Sequence, residues 1–251
     1  MAIRFPFDPT RRDALRLLGT AGALAAAGGA SRGFAQDKAQ LKIGFIGAGR
    51  EGGALGALFA QTGHQVMFSS RHPEQLKDVV DAAGPIAQAG TVEQAIKFGD
   101  VLVLVVPYTA VEQIGKDFAP AIAAKPLLLD VSNPIPRRDG EDFVKKINDM
   151  GGPGLATAKL IPGAKVVRGF NAIGYSKLAA DAAKTDGKVG VPIAGDDKKA
   201  IDLAEAFIRE LGFEPVLVGG LAMGKYLVPG TPLAGEHSAA EIKQIAAGLK
   251  P

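Results

Sequence analysis

Three glycines between a short apolar run and an amphipathic stretch constrain the fold of this chain more than any other feature of its sequence. The run Lys42–Ile46 has the composition of a buried strand, and the glycines at positions 47, 49 and 52 follow it as G-x-G-x-x-G. Between a strand and a helix, this pattern is typical of a turn that holds the pyrophosphate of a dinucleotide. Gly47 is expected to make the turn, Gly49 to admit the pyrophosphate, and Gly52 to let helix and strand pack closely. The alternative is a glycine-rich turn without a ligand.

From residue 41 onward, apolar runs alternate with amphipathic stretches. The predicted strands are 42–46, 65–68, 101–106, 127–131, 164–170, 191–194 and 214–218. The predicted helices are 53–62, 73–83, 92–97, 110–123 and 198–211. This alternation predicts an α/β fold with a doubly wound, mostly parallel sheet of the Rossmann type. We expect a single domain over residues 36–251, with a small C-terminal extension from about residue 165.

The first 35 residues differ from the rest of the chain. They hold five arginines and two aspartates, so the whole formal net charge of +3 lies there. Arg11-Arg12 precedes a weakly apolar stretch at 17–30, and Gly33-Phe34-Ala35 offers a cleavage site, so the segment resembles a twin-arginine signal peptide. It predicts export to the periplasm by the twin-arginine machinery. An alanine-rich surface helix is the alternative, and the stretch is too short for a stable membrane span, which needs about 20 residues.

Composition excludes several kinds of site. The chain has no cysteine, which removes disulfides, thiolate nucleophiles and cysteine metal sites, and its three histidines leave little for a metal centre. Residues 36–251 carry no net charge, so no nucleic-acid partner is predicted. No Ser/His/Asp or paired-carboxylate pattern is evident, and we predict no catalytic acid, base or nucleophile. His64 is expected to lie in a turn before the second strand.

The end of the second strand indicates which dinucleotide is preferred. An acidic side chain about 20 residues after the glycines would bind the ribose hydroxyls of NAD, but Ser69, Ser70 and Arg71 stand there instead. A guanidinium is well suited to a phosphate dianion, so the sequence favours NADP. The alternative is that Arg71 is a solvated surface charge, as we expect for His72.

Two further segments should end at the same edge of the sheet. Val106-Pro107 follows one inner strand and Asn133-Pro134 follows the next, and proline cannot continue a central strand. Ligands of such folds bind at the carboxyl ends of the strands. We therefore predict that Val106 and Asn133 contact the nicotinamide side or the ribose of the cofactor, with Tyr108 a weaker candidate.

Several blocks together resemble the coenzyme F(420)-dependent NADP oxidoreductase family. They are Gly47 to Gly52, Ser70-Arg71, Val106-Pro107, and the segments 165–171, 191–197 and 226–233. Members of this family pass hydride between NADP and an 8-hydroxy-5-deazaflavin, and relatives of the same fold reduce flavin or, indirectly, metal ions. The resemblance implies NADP contacts at Ala48, Gly49, Arg50, Glu51, Ser70, Arg71, Val106, Ala110 and Asn133. With the motif residues, the predicted cofactor site is Gly47, Ala48, Gly49, Arg50, Glu51, Gly52, Ser69, Ser70, Arg71, Val106, Pro107, Ala110 and Asn133.

Hydride transfer between two flat rings requires their orientation and the exclusion of water rather than a protein nucleophile. The expected function is therefore an NADPH-dependent oxidoreductase whose small-molecule acceptor is coenzyme F(420) or a flavin. A homodimer is compatible with this assignment. The alternative is a non-catalytic NADP-binding sensor or assembly protein, because the cofactor residues are recognisable in the sequence and an acceptor site is not.

Overall fold

The computed structural model describes residues 41–251, and the predicted signal peptide, residues 1–35, lies outside the described residues. The strands are β1 Lys42–Ile46, β2 Gln65–Ser69, β3 Ala87–Gly90, β4 Val101–Leu104, β5 Leu128–Asp130, β6 Val166–Arg168, β7 Gly190–Gly195 and β8 Glu214–Gly219. The helices are α1 Arg50–Gln61, α2 Lys77–Ala83, α3 Val92–Phe98, α4 Val111–Ala123, α5 Pro136–Asp139, α6 Glu141–Asp149, α7 Pro153–Leu160, α8 Tyr175–Ala182, α9 Lys198–Glu210 and α10 Ala239–Ala247. Within this range, no helix has the length and apolar character needed to cross a bilayer.

The eight strands form one sheet in the order β3-β2-β1-β4-β5-β6-β7-β8. The pairs from β3 to β6 are parallel, β6 and β7 are antiparallel, and β7 and β8 are parallel to each other. The strand order reverses between β1 and β4, which is the point in such sheets where ligands bind. The predicted α/β, mostly parallel, doubly wound fold is confirmed.

Strand β4, at the centre of the sheet, is apolar on every residue because both faces of the sheet are covered. In β4, Val101 and Val103 belong to one buried cluster, and Leu102 and Leu104 belong to the cluster on the opposite face. This alternation follows from the two-residue period of a strand, and it explains why the sequence shows a continuous apolar run rather than alternating polar residues.

The structure contains elements that the sequence did not predict. Strand β3 is a short, largely exposed edge strand, Ala-Gln-Ala-Gly, with no apolar run to mark it. Helices α5 to α8 and α10 were also not predicted; α6 is mostly polar, and α10 begins at a Ser238–Glu241 capping box that is recognisable in hindsight. The predicted helix 73–83 is a 3-10 turn at Pro73–Gln75 followed by α2.

His64 follows the turn after α1, but its side chain belongs to the core. It is fully buried, its ring lies 5.8 Å from the ring of Phe59 and 5.4 Å from that of Phe207, and its Nε2 lies 3.2 Å from a carboxylate oxygen of Glu210. The expectation of an ordinary turn residue is therefore wrong: the aromatic rings on α1 and α9 enclose the imidazole.

Candidate functional site

The turn after β1 requires glycine at its first position. Gly47 has φ +111°, a conformation that side chains with a Cβ rarely adopt, and a Cβ there would lie 2.3 Å from the carbonyl oxygen of Val105. At Gly52 a Cβ would lie 2.8 Å from the carbonyl oxygen of Gly47 and 2.9 Å from Val105 Cγ1. These two glycines therefore let the turn and the first part of α1 lie directly against the end of the sheet.

Gly49 is different, because a Cβ built on it meets no atom within 4 Å. It precedes α1 as the N-cap residue, and no side chain accepts a hydrogen bond from the first turn of that helix. The first N–H groups of a helix lack partners within the helix and carry partial positive charge. Open space before these donors fits the pyrophosphate of a dinucleotide, with Ala48 and Arg50 on either side of Gly49.

Ser69 links the end of β2 to the glycine turn. It is fully buried, its hydroxyl donates to the carbonyl oxygen of Phe45 at 2.7 Å, and its Oγ lies 3.4 Å from the N–H of Gly47 that donates to it. The prediction of a direct cofactor contact by Ser69 is therefore not supported by its position. Ser69 instead fixes the distance between the end of β2 and the glycine turn.

The residues after β2 face solvent. Ser70 Oγ accepts a hydrogen bond from the N–H of His72 at 3.0 Å, which fixes a tight turn around Arg71. Arg71 is exposed and has no carboxylate within 4.0 Å among residues 41–251. His72 is exposed, as expected, and lies 3.3 Å from Glu74. A guanidinium without a protein partner at this edge is available for the 2′-phosphate of NADP.

The segment after β4 runs along the carboxyl edge of the sheet. Val106 is half-buried and its N–H donates to Ser132 Oγ at 3.2 Å, Pro107 is exposed, and Ala110 ends a 3-10 turn that leads into α4. Tyr108 is fully buried, and its hydroxyl donates to the carbonyl oxygen of Pro153 at 2.6 Å. Burial raises the pKa of Tyr108 far above its ordinary value. Tyr108 is thus a core residue, and its weaker candidacy as a nicotinamide contact is wrong.

Asn133 is held in place by a buried ion pair that sequence reasoning missed. Arg168 and Asp130 are both fully buried, and Arg168 Nη1 lies 2.8 Å from Asp130 Oδ2. The other guanidinium nitrogen, Nη2, donates to Asn133 Oδ1 at 3.0 Å, and Asn133 Nδ2 donates to the carbonyl oxygen of Asn171 at 2.9 Å. Both ends of the Asn133 amide are therefore occupied, which fixes its rotamer at the edge of the sheet.

The same network extends in two directions. Thr157 on α7 donates to Asp130 Oδ2 at 2.8 Å, and Asn171 Nδ2 donates to the carbonyl oxygen of Asp130 at 3.0 Å. Between Arg168 and Asn171 the backbone passes through Phe170, which has φ 61°. A bulky residue seldom adopts this conformation, and such strain is concentrated at functional sites.

A cleft of about 610 Å³ opens beside this network. Its walls come from the start of α1, the end of β5, the loop before α8 and a loop near the C-terminus: Glu51, Asn133, Ile135, Asn171, Ala172, Ile173, Gly174, Pro229, Gly230, Thr231, Ala234 and Gly235. Pockets of about 300–1,000 Å³ are typical for small molecules and cofactors. The cleft includes Glu51 and Asn133, which we predicted as cofactor contacts. The part of its wall formed by residues 172–174 and 229–235 was not predicted from the sequence.

Glu51 is the one ionisable residue in the wall of this cleft. Its Oε2 accepts a hydrogen bond from the N–H of Tyr175 at 3.0 Å, and its Oε1 is buried without a hydrogen-bond partner. Burial raises the pKa of Glu51 to about 7, while the Tyr175 N–H lowers it by a smaller amount. Elsewhere in residues 41–251, no group of three or more His, Cys, Asp or Glu is placed to hold a metal ion.

Comparison with known proteins supports this assignment of the fold and the family. Residues 42–134 match the family model of coenzyme F(420)-dependent NADP oxidoreductases. The crystal structure of a hypothetical protein from Sinorhizobium meliloti is 31% identical, with a TM-score of 0.63 over 79% of this chain and 95% of that one. A proposed F(420)-dependent NADP-reductase from Arthrobacter sp. FB24 is 19% identical, with a TM-score of 0.61 over 74% of this chain and 87% of that one, and this likeness supports the fold.

A curated relative is longer. Metalloreductase STEAP3 from Rattus norvegicus is 27% identical over 187 residues, which are 73% of this chain and 35% of the relative. The chain thus spans about a third of the length of that protein. The family model matches β1 through Pro134 and so covers the first three blocks noted in the sequence, while the blocks at 165–171, 191–197 and 226–233 lie outside the matched residues. The chain belongs to the coenzyme F(420)-dependent NADP oxidoreductase family.

Proposed function

We propose that this protein is an NADPH-dependent oxidoreductase that transfers hydride between NADP and a flavin-type or deazaflavin acceptor. The observation that carries the proposal is that the predicted dinucleotide site and the cleft lie next to each other. The uncapped N-terminus of α1, which fits a pyrophosphate, and the cleft beside Asn133 share one residue, Glu51. A cofactor on the helix and an acceptor in the cleft would therefore meet along a common wall.

The preference for NADP rests on the end of β2. Arg71 is exposed and unpaired within the described residues, and no acidic side chain follows the strand to bind the ribose hydroxyls. A charged hydrogen bond to a phosphate is worth more than one between neutral groups. We therefore expect NADPH, rather than NADH, to be the reductant.

When bound, NADPH supplies the hydride, and the chain supplies orientation. Asn133 is locked by Arg168 and by the carbonyl oxygen of Asn171, so its amide stands at a fixed position at the edge of the cleft. Hydride transfer requires the reacting atoms at about 3–3.5 Å, and rigid contacts on both sides of the cleft favour that approach. The walls formed by 172–174 and 229–235 limit the access of water.

The test is NADPH oxidation by purified residues 36–251, with a deazaflavin, flavin mononucleotide and a ferric chelate as rival acceptors. Turnover with the deazaflavin or the flavin supports the proposal. Tight NADPH binding with no turnover on any acceptor favours instead the non-catalytic NADP-binding protein.

Reduction of a metal is the second candidate function, and the likeness to a metalloreductase is the observation that favours it. NADPH gives up two electrons as hydride and a ferric ion takes one, so in this route a flavin would accept the hydride and pass single electrons to a ferric chelate. Ferric chelate reduction that requires added flavin mononucleotide would support this route.

We also propose that the protein is exported by the twin-arginine machinery and acts in the periplasm. The support is the sequence of residues 1–35, with Arg11-Arg12 and the Gly33-Phe34-Ala35 site. N-terminal sequencing of the protein from its native host should begin at or near Gln36. Intact residues 1–35 on cytoplasmic protein would contradict the proposal.

A further inference from the structure

The wall of the cleft holds one carboxyl group, that of Glu51, among neutral side chains. The other polar side chains of the wall, Asn133, Asn171 and Thr231, carry no charge. Glu51 Oε1 is buried and has no hydrogen-bond partner in the protein, although a buried carboxyl oxygen normally has one. An unpartnered carboxyl oxygen in a cleft of this size indicates that its partner is a ligand.

The second oxygen of Glu51 anchors the side chain. Oε2 accepts from the N–H of Tyr175 at the start of α8, so the carboxyl is tied to a residue 124 positions away in the sequence. The neighbouring Arg50 does not pair with Glu51: its guanidinium lies 5.7 Å from the centre of the Tyr175 ring and donates to the Tyr175 hydroxyl at 3.2 Å. The carboxyl is thus held in place without being neutralised by a cation.

We propose that Glu51 is the general acid of this site and gives its proton to a ring nitrogen of the acceptor as the acceptor takes hydride from NADPH. This inference rests on the proposed function. In the step, the O–H bond of Glu51 breaks and an N–H bond forms on the acceptor, while one hydride passes from NADPH. The products are NADP⁺, the two-electron-reduced acceptor and the Glu51 carboxylate, and the mouth of the cleft lets solvent return the proton.

The environment of Glu51 keeps a proton available near neutral pH. Burial raises its pKa to about 7, and the hydrogen bond from Tyr175 is the one opposing influence. Arg50 on α1 contacts the ring and hydroxyl of Tyr175 on α8 and forms no ion pair with Glu51. A general acid is most effective when its pKa lies near the working pH. This role could not be expected from the sequence, because a glutamate at this position is also typical of the first turn of a helix.

The decisive variant is E51Q, which keeps the side-chain shape and the oxygen that accepts from Tyr175 but has no carboxyl proton to give. With flavin mononucleotide or a deazaflavin as acceptor, wild-type kcat/KM should fall as pH rises through about 7. E51Q should be about 10²–10⁴-fold slower at pH 6 and should lose this pH dependence. Because E51Q keeps the side-chain shape, its Kd for NADPH should change much less than its rate. The matched control E93Q changes an exposed glutamate on α3 and should keep the wild-type profile.

A measurement without turnover tests the same residue. Carboxyl ¹³C NMR of the glutamate-labelled protein without cofactor should show one resonance that titrates near 7 and disappears in E51Q. A Glu51 resonance that titrates near 4.3, the ordinary value, overturns the acid role. If the wild-type protein turns over and E51Q shows the same rate and pH profile, the acid role is overturned and the proposed function stands. A wild-type protein that binds NADPH but reduces no acceptor overturns the proposed function together with the acid role.

Discussion

The two sides of the site are built from different material. The dinucleotide side consists of backbone: two glycines pressed against the sheet and a helix N-terminus with open space before it. The cleft side consists of side chains that are fixed by one another, with Arg168, Asp130 and Asn133 joined through a buried network. A backbone site depends on a few consecutive residues, whereas a side-chain site depends on partners brought together by the whole fold. The two sides should therefore fail in different ways when they are mutated.

The largest effect is expected on the cleft side. Arg168→Met leaves Asp130 buried without its cationic partner, and breaking a buried ion pair in this way costs about 3–5 kcal/mol of the free energy of unfolding. Urea unfolding measures the loss. The double variant Asp130→Asn with Arg168→Met leaves no unpaired charge and should recover part of it. A single variant as stable as the wild type would show that the network does not support the cleft.

A substitution on the dinucleotide side should spare the fold and abolish binding. Gly49→Val places its side chain in open space, so stability should be retained, but the side chain occupies the approach to the helix N–H groups. We expect NADPH binding to weaken by at least about 10²-fold, the scale of a misplaced ligand. Gly248→Val, at the end of α10, is the matched control and should bind normally. Unchanged affinity in Gly49→Val would remove the glycine turn from the cofactor site.

The preference for NADPH over NADH should respond to mutation less strongly than the affinity for NADPH does. Arg71→Ala should remove most of the preference for NADPH over NADH, because a hydrogen bond to a charged group contributes roughly 1.5–3 kcal/mol. Isothermal titration with both dinucleotides gives the ratio. Arg209→Ala, which removes an exposed arginine on α9, is the control and should keep it. Equal affinities in the unmutated protein would contradict the choice of NADP.

Glu51, the residue shared by the two sides of the site, should make the stability of the protein depend on pH. Burial raises the pKa of Glu51 to about 7 in the folded protein, from its ordinary value of 4.5 when the chain is unfolded. The folded state therefore holds more protons between these values, and this residue lowers stability as pH rises from about 4.5 to 7. E51Q lacks this loss, so it should be more stable than the wild type at pH 8 and no more stable at pH 4. Thermal unfolding across this range measures the difference.

The smallest effect is expected at His72, which is exposed, and at His237, which is half-buried. His72→Gln and His237→Gln should change the rate of NADPH oxidation only modestly, because neither lines the cleft. A general acid or base contributes about 10²–10⁴-fold, so a loss of that size from either variant would assign the proton transfer to a histidine instead of Glu51. His64→Gln should act on stability rather than rate, since its ring is enclosed by Phe59 and Phe207.

The difference between the two sides also explains how much could be predicted from the sequence. The glycine turn, β1 and β4 were recognisable because their signals lie within about ten consecutive residues and follow from local backbone geometry. Arg168 reaches Asn133 across 35 positions, and Glu51 reaches Tyr175 across 124. Such contacts leave no periodic trace in one sequence.

The remaining differences between the predictions and the structure concern whether a residue is buried or exposed. Ser69 ends β2 and Tyr108 follows β4 at the expected edge of the sheet, but both side chains are buried and hydrogen-bond to backbone carbonyl groups. A polar residue at a strand end can face a ligand or the core, and only packing decides which. The short edge strand β3 was missed for the opposite reason, because it is exposed and has no apolar pattern.

The loop at 229–235 has a consequence for the order in which the molecule becomes competent during its synthesis. It completes the cleft late in the chain: the N–H of Gly235 donates to the carbonyl oxygen of Ala172 at 2.9 Å, and Gly190 pairs with His237. The glycine turn needs only residues up to about Val105, which leave the ribosome much earlier. The residues of the glycine turn are therefore synthesised long before those that close the cleft. Since the eight strands form one sheet and a domain folds as a unit, the cleft can be completed only after residues near 237 have emerged.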